Sequence, residues 1–147
     1  MKTFAWGLLL MFLSVSTSYA LPADEIGHIH TLRGTASVTR GTLSVPATVG
    51  APLYCGDLVR TGESGSVGLV LTDDTTISLG PNSELCLNEY AFNPKEGRFS
   101  LVVRMVKGTF VYLSGLIAKL AQDAVQLLIP DATIGIRGTK LLIHVEE

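Results

Sequence analysis

A glycine-rich stretch at residues 62–66 carries the serine best placed to act as a nucleophile. Its sequence, Gly-Glu-Ser-Gly-Ser, approaches the G-x-S-x-G turn of serine hydrolases. That turn joins a strand to a helix and thereby exposes the hydroxyl. Here Ser66 replaces the last glycine, and both flanks alternate as strands do. We therefore interpret the stretch as a hairpin turn and expect no catalytic residue in it.

Two histidines offer the nearest approach to a metal site. His28 and His30 lie two apart, so on a strand their rings would point the same way and could share a cation. A complete site needs further ligands, and the sequence supplies only the isolated His144 and scattered turn carboxylates. We interpret the pair as solvent-facing histidines at the start of the first strand, and we expect neither a metal nor a cofactor.

The aspartates of the turns have a structural explanation. Asp57 and the pair Asp73 and Asp74 lack the spacing of a calcium-binding loop. Aspartate is favoured in turns because its carboxylate accepts hydrogen bonds from nearby backbone amides. We expect these side chains to cap their own turns.

A second glycine-rich stretch, Gly-Ile-Arg-Gly-Thr-Lys at residues 135–140, suggests a phosphate loop. It lacks the G-x-x-x-x-G-K-[ST] order, and no helical pattern follows to meet an anion. We interpret it as a tight bend with glycines at positive φ. Arg137 would then be a structural hub whose five donors tie together carbonyls or a carboxylate such as Asp57. The alternative is an anion site formed by an exposed Arg137 with Lys140 beside it.

The sequence has two cysteines, Cys55 and Cys86, and two interpretations of them stay open. An exported protein can form a disulfide between Cys55 and Cys86. However, Cys86 alternates with Leu85 and Leu87 and so points away from both, whereas Cys55 would share a face with Leu53. Side chains that face different ways cannot bond without backbone movement, so free thiols are the alternative.

The first twenty residues have the layout of a secretory signal peptide. Lys2 precedes an apolar run at residues 4–13, and the small residues Ser18 and Ala20 occupy the −3 and −1 positions of a cleavage site. As a helix this run reaches only about 18 Å, short of a bilayer core of about 30 Å. We expect cleavage after Ala20, a periplasmic or secreted protein spanning residues 21–147, and no membrane span thereafter.

The 147-residue length fits one domain. Eleven basic residues are scattered among thirteen acidic ones without a basic stripe, which argues against nucleic-acid binding. Turn residues recur every eight to twelve positions, and the segments between them alternate with period two. This pattern is typical of an all-β sandwich or roll of short strands.

One segment departs from strand alternation. Apolar residues at 116, 117, 120, 121 and 124 recur at helical spacing, and Ser114 is a suitable N-cap. The spacing predicts one short helix over residues 114–123. Alternation then returns from Val125 until Pro130 stops it.

Several motifs in a fixed order resemble the FecR-type domain over about residues 33–145. They include Gly-Thr-Ala-Ser-Val at 34–38, the turn with Gly56, Asp57, Thr61 and Gly62, and the hairpin of residues 69–79, where Asp74 replaces the usual glycine. Residues 80–85 and the stretch containing Gly108 continue the series. The most specific match is residues 130–139, which end in Gly135, Arg137, Gly138 and Thr139.

The resemblance implies a domain of envelope regulators that read an outer-membrane transporter and control a sigma factor. Only three residues precede the apolar run, so we expect no cytoplasmic arm here. The expected function is a non-catalytic interaction module whose partner is another envelope protein. The alternative is a small-ligand binder or an enzyme that uses the bend around Arg137, and a pocket of converging polar groups beside that bend would favour it.

The export hypothesis predicts the mass and fluorescence of the mature protein. The chain should begin at Leu21, and its emission should be of tyrosine type, because Trp6 leaves with the signal peptide. Intact-mass spectrometry of the envelope fraction measures this directly. A species that retains residues 1–20 would contradict the prediction.

Overall fold

The computed structural model describes residues 24–136 and 139–146. The described residues are mainly strands with one short α-helix, which confirms the all-β prediction. The elements in chain order are β1 (Gly27–Arg33), β2 (Ala36–Arg40), β3 (Leu43–Pro46), β4 (Pro52–Leu53), β5 (Leu58–Thr61), β6 (Ser66–Leu71), β7 (Thr76–Leu79), β8 (Glu84–Asn93), β9 (Arg98–Leu113), α1 (Leu116–Leu120), β10 (Val125–Ile129), β11 (Ala132–Gly135) and β12 (Lys140–Val145).

The strands form one curled sheet in which β9 belongs to two layers. The front layer has the order β4-β1-β6-β7-β9-β12 and uses residues 108–113 of β9. The back layer has the order β3-β2-β5-β8-β9-β10-β11 and uses residues 98–107 of β9. The pairing of β10 with β9 is parallel, and the other pairings of the described strands are antiparallel.

Strand alternation sends one face of each layer into a single apolar core. The side chains of β6 at 67, 69 and 71 are at most 2 % exposed, and those of β7 at 77 and 79 pack with them, as the period-two pattern predicts. The back layer contributes Val59, Leu85, Leu87, Leu101, Val103 and Met105. Phe110 and Tyr112, both fully buried, continue the core along the second half of β9.

The stretch at residues 62–66 is a turn, but it is not a hairpin. Gly65 N–H closes the turn on Gly62 O at 3.1 Å. The strands on either side, β5 and β6, lie in different layers and pair with other strands. The hairpin prediction was wrong because alternation identifies strands but not their partners.

The helix is shorter than predicted and begins later. α1 spans Leu116–Leu120 with Gly115 as its N-cap, and a 3-10 helix follows at Gln122–Ala124. Ser114 is not the N-cap because it still lies beside the β9–β12 ladder, where its N–H donates to Thr139 O at 2.9 Å, and the N-cap lies one residue later. The first helical amides are satisfied instead by Asp73, which accepts Leu116 N–H on its backbone oxygen at 2.7 Å and Ile117 N–H on its side chain at 3.1 Å.

Gly108 lies where β9 passes from the back layer to the front layer. Its φ of +107° is accessible to glycine and strained for other residues. A Cβ at this position would also overlap the backbone and side chain of Ser83. The crossing therefore requires glycine for two independent reasons.

Gly108→Ala is expected to lower the free energy of unfolding by about 3 kcal/mol, because backbone strain and a clash with Ser83 add. Gly97→Ala is the matched control. Gly97 has a φ of +66°, but the space that an added methyl group would occupy is open, so strain alone should cost about 1 kcal/mol. Urea unfolding compares the two variants. Equal losses would contradict the close packing at Gly108.

Candidate functional site

Asp57 lies in the turn before β5 and is fully buried. Its carboxylate accepts two hydrogen bonds from Arg40 of β2, Nε to Oδ1 at 2.8 Å and Nη2 to Oδ2 at 2.7 Å, and one from Tyr54 N–H at 2.9 Å. The guanidinium also stacks over the Tyr54 ring at 4.3 Å. The hydrogen bond to Asp57 raises the pKa of Arg40. Asp57 thus caps its own turn, as predicted, and also fastens that turn to β2.

The sequence offered no signal for this pairing, because Arg40 lies at the end of a strand with no motif around it. The predicted partner, Arg137, lies outside the described residues together with Gly138. In the described part of the chain, the guanidinium that binds Asp57 belongs to Arg40.

Thr61 and Ser83 connect β5, the turn before β8 and the crossing of β9. Thr61 Oγ1 donates to Gly80 O at 2.6 Å and accepts from Ser83 N–H at 2.9 Å. Ser83 Oγ in turn accepts from Thr109 N–H at 3.1 Å, next to Gly108. Gly62 donates to Thr35 O at 2.9 Å and accepts from Asn82 N–H at 3.0 Å. These motif residues therefore hold one junction of the fold.

Asp73 is a second buried carboxylate, and four donors converge on it. Oδ1 accepts from Thr75 N–H and from the Tyr90 hydroxyl, both at 3.2 Å. Oδ2 accepts from Thr75 Oγ1 at 2.7 Å and from Ile117 N–H at 3.1 Å. The carboxylate caps the β6–β7 turn, as predicted, and also caps α1, which lies 44 positions away along the chain.

Tyr90 belongs to the same network and was missed by the sequence analysis. Its hydroxyl accepts from Asp73 N–H at 3.0 Å and contacts Thr72 Oγ1 at 2.7 Å. Burial raises the pKa of Tyr90 to about 12. A phenol held in its neutral form by such a network orders the turn and does not act as a base near neutral pH.

Asp74 occupies the position at which the family motif has glycine. Its φ is +69°, the left-handed conformation that glycine adopts without strain. Aspartate is one of the side chains that tolerate this conformation. The departure from the motif therefore preserves the turn.

Both cysteines are free thiols. Cys86 is half-buried on β8 between the buried Leu85 and Leu87, so it points to the opposite face, as predicted. Cys55 does not share the buried face of Leu53, because the strand ends there and Cys55 is exposed in the following turn. Burial raises the pKa of both thiols, which keeps them protonated near neutral pH and poorly nucleophilic.

The histidine pair lies on the outer face of the front layer. His28 is half-buried and His30 is exposed, and their ring centroids are 6.1 Å apart in an edge-on contact. No group of three or more metal-ligating side chains occurs among the described residues. His144 instead meets Thr109, with its Nδ1 3.0 Å from Thr109 Oγ1.

In the bend at residues 135–140, the prediction of a positive φ was wrong for Gly135. This glycine closes β11 opposite Gln126, has no positive φ, and faces open space. Positive φ is unnecessary there because the residue still belongs to a regular edge strand. Ile136 is buried, and its carbonyl accepts from Gln122 Nε2 at 2.5 Å.

A shallow polar depression lies beside this bend, lined by Gln122, Asp123, Val125, Gln126, Thr133, Ile134, Gly135 and Ile136. Its described lining includes an acidic side chain and two amides, and no basic one. Such a lining does not by itself attract an anion. Thr139 and Lys140, the last two residues of the bend, are exposed.

The outer faces of the two layers differ in charge. On the back layer the register places Arg60 beside Glu84, paired at 2.9 Å, with Arg104 on the same face. On the front layer no aspartate or glutamate occurs among the outward-facing strand residues, which are His28, His30, Thr31, Arg33, Pro52, Ser66, Gly68, Val70, Thr76, Ser78, Thr109, Val111, Leu113, Lys140, Leu142 and His144.

In a comparison with protein families, residues 57–147 match the family described as FecR protein. The chain belongs to the FecR family. The match begins at Asp57, so the Gly-Thr-Ala-Ser-Val motif and Gly56 precede it. No curated protein and no solved structure matches this FecR domain. Among the described residues no helix is long and apolar enough to cross a membrane.

The Asp73 network of the FecR domain generates a stability prediction. Asp73→Asn should lower the free energy of unfolding by about 3 kcal/mol, because an amide nitrogen would face two buried donors. Asp74→Asn, at the adjacent exposed position, should change it by less than about 0.5 kcal/mol. Denaturant unfolding near neutral pH compares them. Similar values for both variants would contradict a hub role for Asp73.

Proposed function

We propose that this FecR domain is an exported, non-catalytic interaction module in envelope sensing or signalling. In this proposal residues 1–20 are removed, the mature domain is periplasmic or secreted, and its partner is another envelope protein. The FecR family is one of signalling regulators rather than of enzymes, which supports the general class of function. The difference in charge between the outer faces of the two layers indicates which surface binds the partner.

The observation that carries the proposal is that the described strands of the front layer carry no acidic side chain on their outer face. Glu146, which directly follows β12, lies at the margin of that face. The chain has thirteen aspartates and glutamates, yet the register places none among the outward-facing residues of this layer. Leu142 is 72 % exposed and Leu113 is 40 % exposed on the same face. A face of hydroxyl and apolar side chains without carboxylates, with exposed leucines at one side, is suited to the centre of a protein interface.

The margins of this face indicate the chemistry of the partner. Arg33 lies at the end of β1, and Lys140 lies at the start of the edge strand β12. Between them the outward-facing strand residues include neither a carboxylate nor a further lysine or arginine. The face therefore fits a flat, largely apolar surface that has acidic residues at its rim.

The buried polar groups support a non-catalytic role. The carboxylates of Asp57 and Asp73 are fully buried and accept hydrogen bonds from the fold itself. The thiols are protonated because burial raises the pKa of Cys55 and Cys86. A general base needs access to a substrate, and the buried Asp57 and Asp73 lack it. Cys55 is exposed and Cys86 is half-buried, but as protonated thiols they are poor nucleophiles near neutral pH. The alternative of a small-ligand site at the bend around Arg137 is an outcome of the following test.

Site-specific photo-crosslinking in the native envelope tests the proposal. A photoreactive residue at Val111 or Ser78 places the probe on the outer face of the front layer, and one at Arg104 is the matched control on the back layer, on the same strand as Val111. We expect the two front-layer probes to give one adduct of the same size and Arg104 to give none. A probe at Thr133 reports on the depression beside the bend.

The specificity of the adduct is checked with Val111→Asp in the Ser78-probe protein. Introducing a carboxylate into the uncharged centre should reduce the adduct by about tenfold, while thermal unfolding stays near that of the parent. An adduct from Arg104, or from Thr133 alone, would contradict the proposal. Adduct formation that is unaffected by Val111→Asp would contradict it as well.

A further inference from the structure

One of the free sheet edges lacks the features that usually prevent edge pairing. Within the described chain, β3 has four residues and ends in Pro46, β4 has two and begins with Pro52, and β11 has four and ends in Gly135. β12 has six residues with neither proline nor glycine, and among the described strands it pairs only with β9. A long, regular, largely apolar edge strand is a template for another strand.

The hydrogen-bond alternation shows which backbone groups of β12 face outward. Ser114 N–H donates to Thr139 O at 2.9 Å, which makes 114 and 139 a hydrogen-bonded pair. In an antiparallel ladder such pairs alternate, so Leu141, Ile143 and Val145 bond to β9. The N–H and C=O groups of the even-numbered residues of β12 therefore point away from β9.

The side chains of β12 continue the core to this edge. Ile143 is 8 % exposed, and Leu141 and Val145 are half-buried against the core. On the opposite face Leu142 is the most exposed large apolar side chain of the described residues, at 72 %. Another strand along β12 would cover apolar groups on both faces.

We propose that β12 pairs antiparallel with β12 of a second copy of this chain, about a two-fold axis at Ile143. Pairing must keep inward residues opposite inward residues, so the axis passes through a residue and not between two. Centred on Ile143, the register sets Leu141 opposite Val145 of the partner subunit. It also sets Lys140 opposite Glu146 of the partner subunit, and does so twice by symmetry.

Charge selects this register over its nearest competitor. An axis at Leu142 would set Lys140 opposite His144 of the partner subunit, with no opposite charge. With the axis at Ile143, the backbone groups of Lys140, Leu142, His144 and Glu146 that point away from β9 all find partners, so four residue pairs exchange hydrogen bonds. With the axis at Leu142 only three pairs do so. Opposite charges directly across an antiparallel pair are favourable, and like charges are unfavourable.

A second copy of this chain fits the free edge of β12 because the strand is complementary to itself. An isologous contact of this kind uses the edge of both subunits and closes, so it does not propagate into a fibre. The two front layers then form one continuous sheet, which joins their outer faces. An edge contact is small, and we expect a dissociation constant on the order of 10 µM.

Sedimentation equilibrium of the protein purified from the envelope fraction tests the dimer. The average mass should rise from one chain to two between about 1 and 100 µM. Lys140→Glu and Glu146→Lys should each raise the dissociation constant by roughly tenfold, because each sets like charges opposite one another. An equimolar mixture of the two variants, and the double variant, should both recover the parent value.

Proline variants separate the edge from the rest of the surface. Leu142→Pro removes an outward N–H without breaking a bond to β9, and it should abolish the dimer. Ser44→Pro is the matched control on β3, where Ala47 N–H donating to Ala36 O sets the Ser44 N–H outward, and it should leave the dimer intact. Circular dichroism verifies the fold of each variant.

Three outcomes would overturn the inference. A monomer throughout the concentration range would exclude the dimer, and a dimer that withstands folded Leu142→Pro would exclude β12 as its interface. A failure of the mixed charge variants to recover the parent dissociation constant would exclude the Ile143 register.

Discussion

The passage of β9 from one layer to the other at Gly108 is the constraint on which the described fold depends. A single strand of sixteen residues belongs to both layers, so the two layers cannot separate unless this strand is disrupted. Close packing of Ser83 against Gly108 fixes the place of the crossing. Thr61, which binds both Gly80 O and Ser83 N–H, ties β5 to that same place. Motif positions that lie far apart in the sequence thus meet at one junction.

The same construction explains why two aspartates of the motifs are inaccessible from the surface. Asp57 holds the turn before β5 against Arg40, and Asp73 holds the β6–β7 turn against Tyr90 and the start of α1. A buried carboxylate is retained where donors surround it, and the donors here come from the backbone and from neighbouring side chains. We therefore propose that recognition uses the outer surfaces, where the two layers differ in charge and where β12 forms an edge of the described sheet.

Much of the fold could be predicted because its signals are local. Period-two alternation located β6, β7, the first half of β9 and β10, and Pro130 marked the end of β10. What could not be predicted depends on contacts between distant residues. Asp73 caps the start of α1 from 44 positions away, and Arg40 binds Asp57 from 17 positions away. β5 and β6 lie in different layers although one short turn joins them. The aspartates were recognised as turn residues, but their partners carry no sequence pattern.

We propose that the motif side chains maintain the fold and that binding takes place on the outer face of the front layer. The most direct measurement is the yield of the Val111-probe adduct per folded molecule in a Thr61→Val background, below the unfolding temperature of that variant. Thr61 is 8 % exposed and holds the junction at Gly108 from inside. The account predicts a lower unfolding temperature and an unchanged adduct yield. A folded Thr61→Val protein that no longer forms the adduct would contradict it.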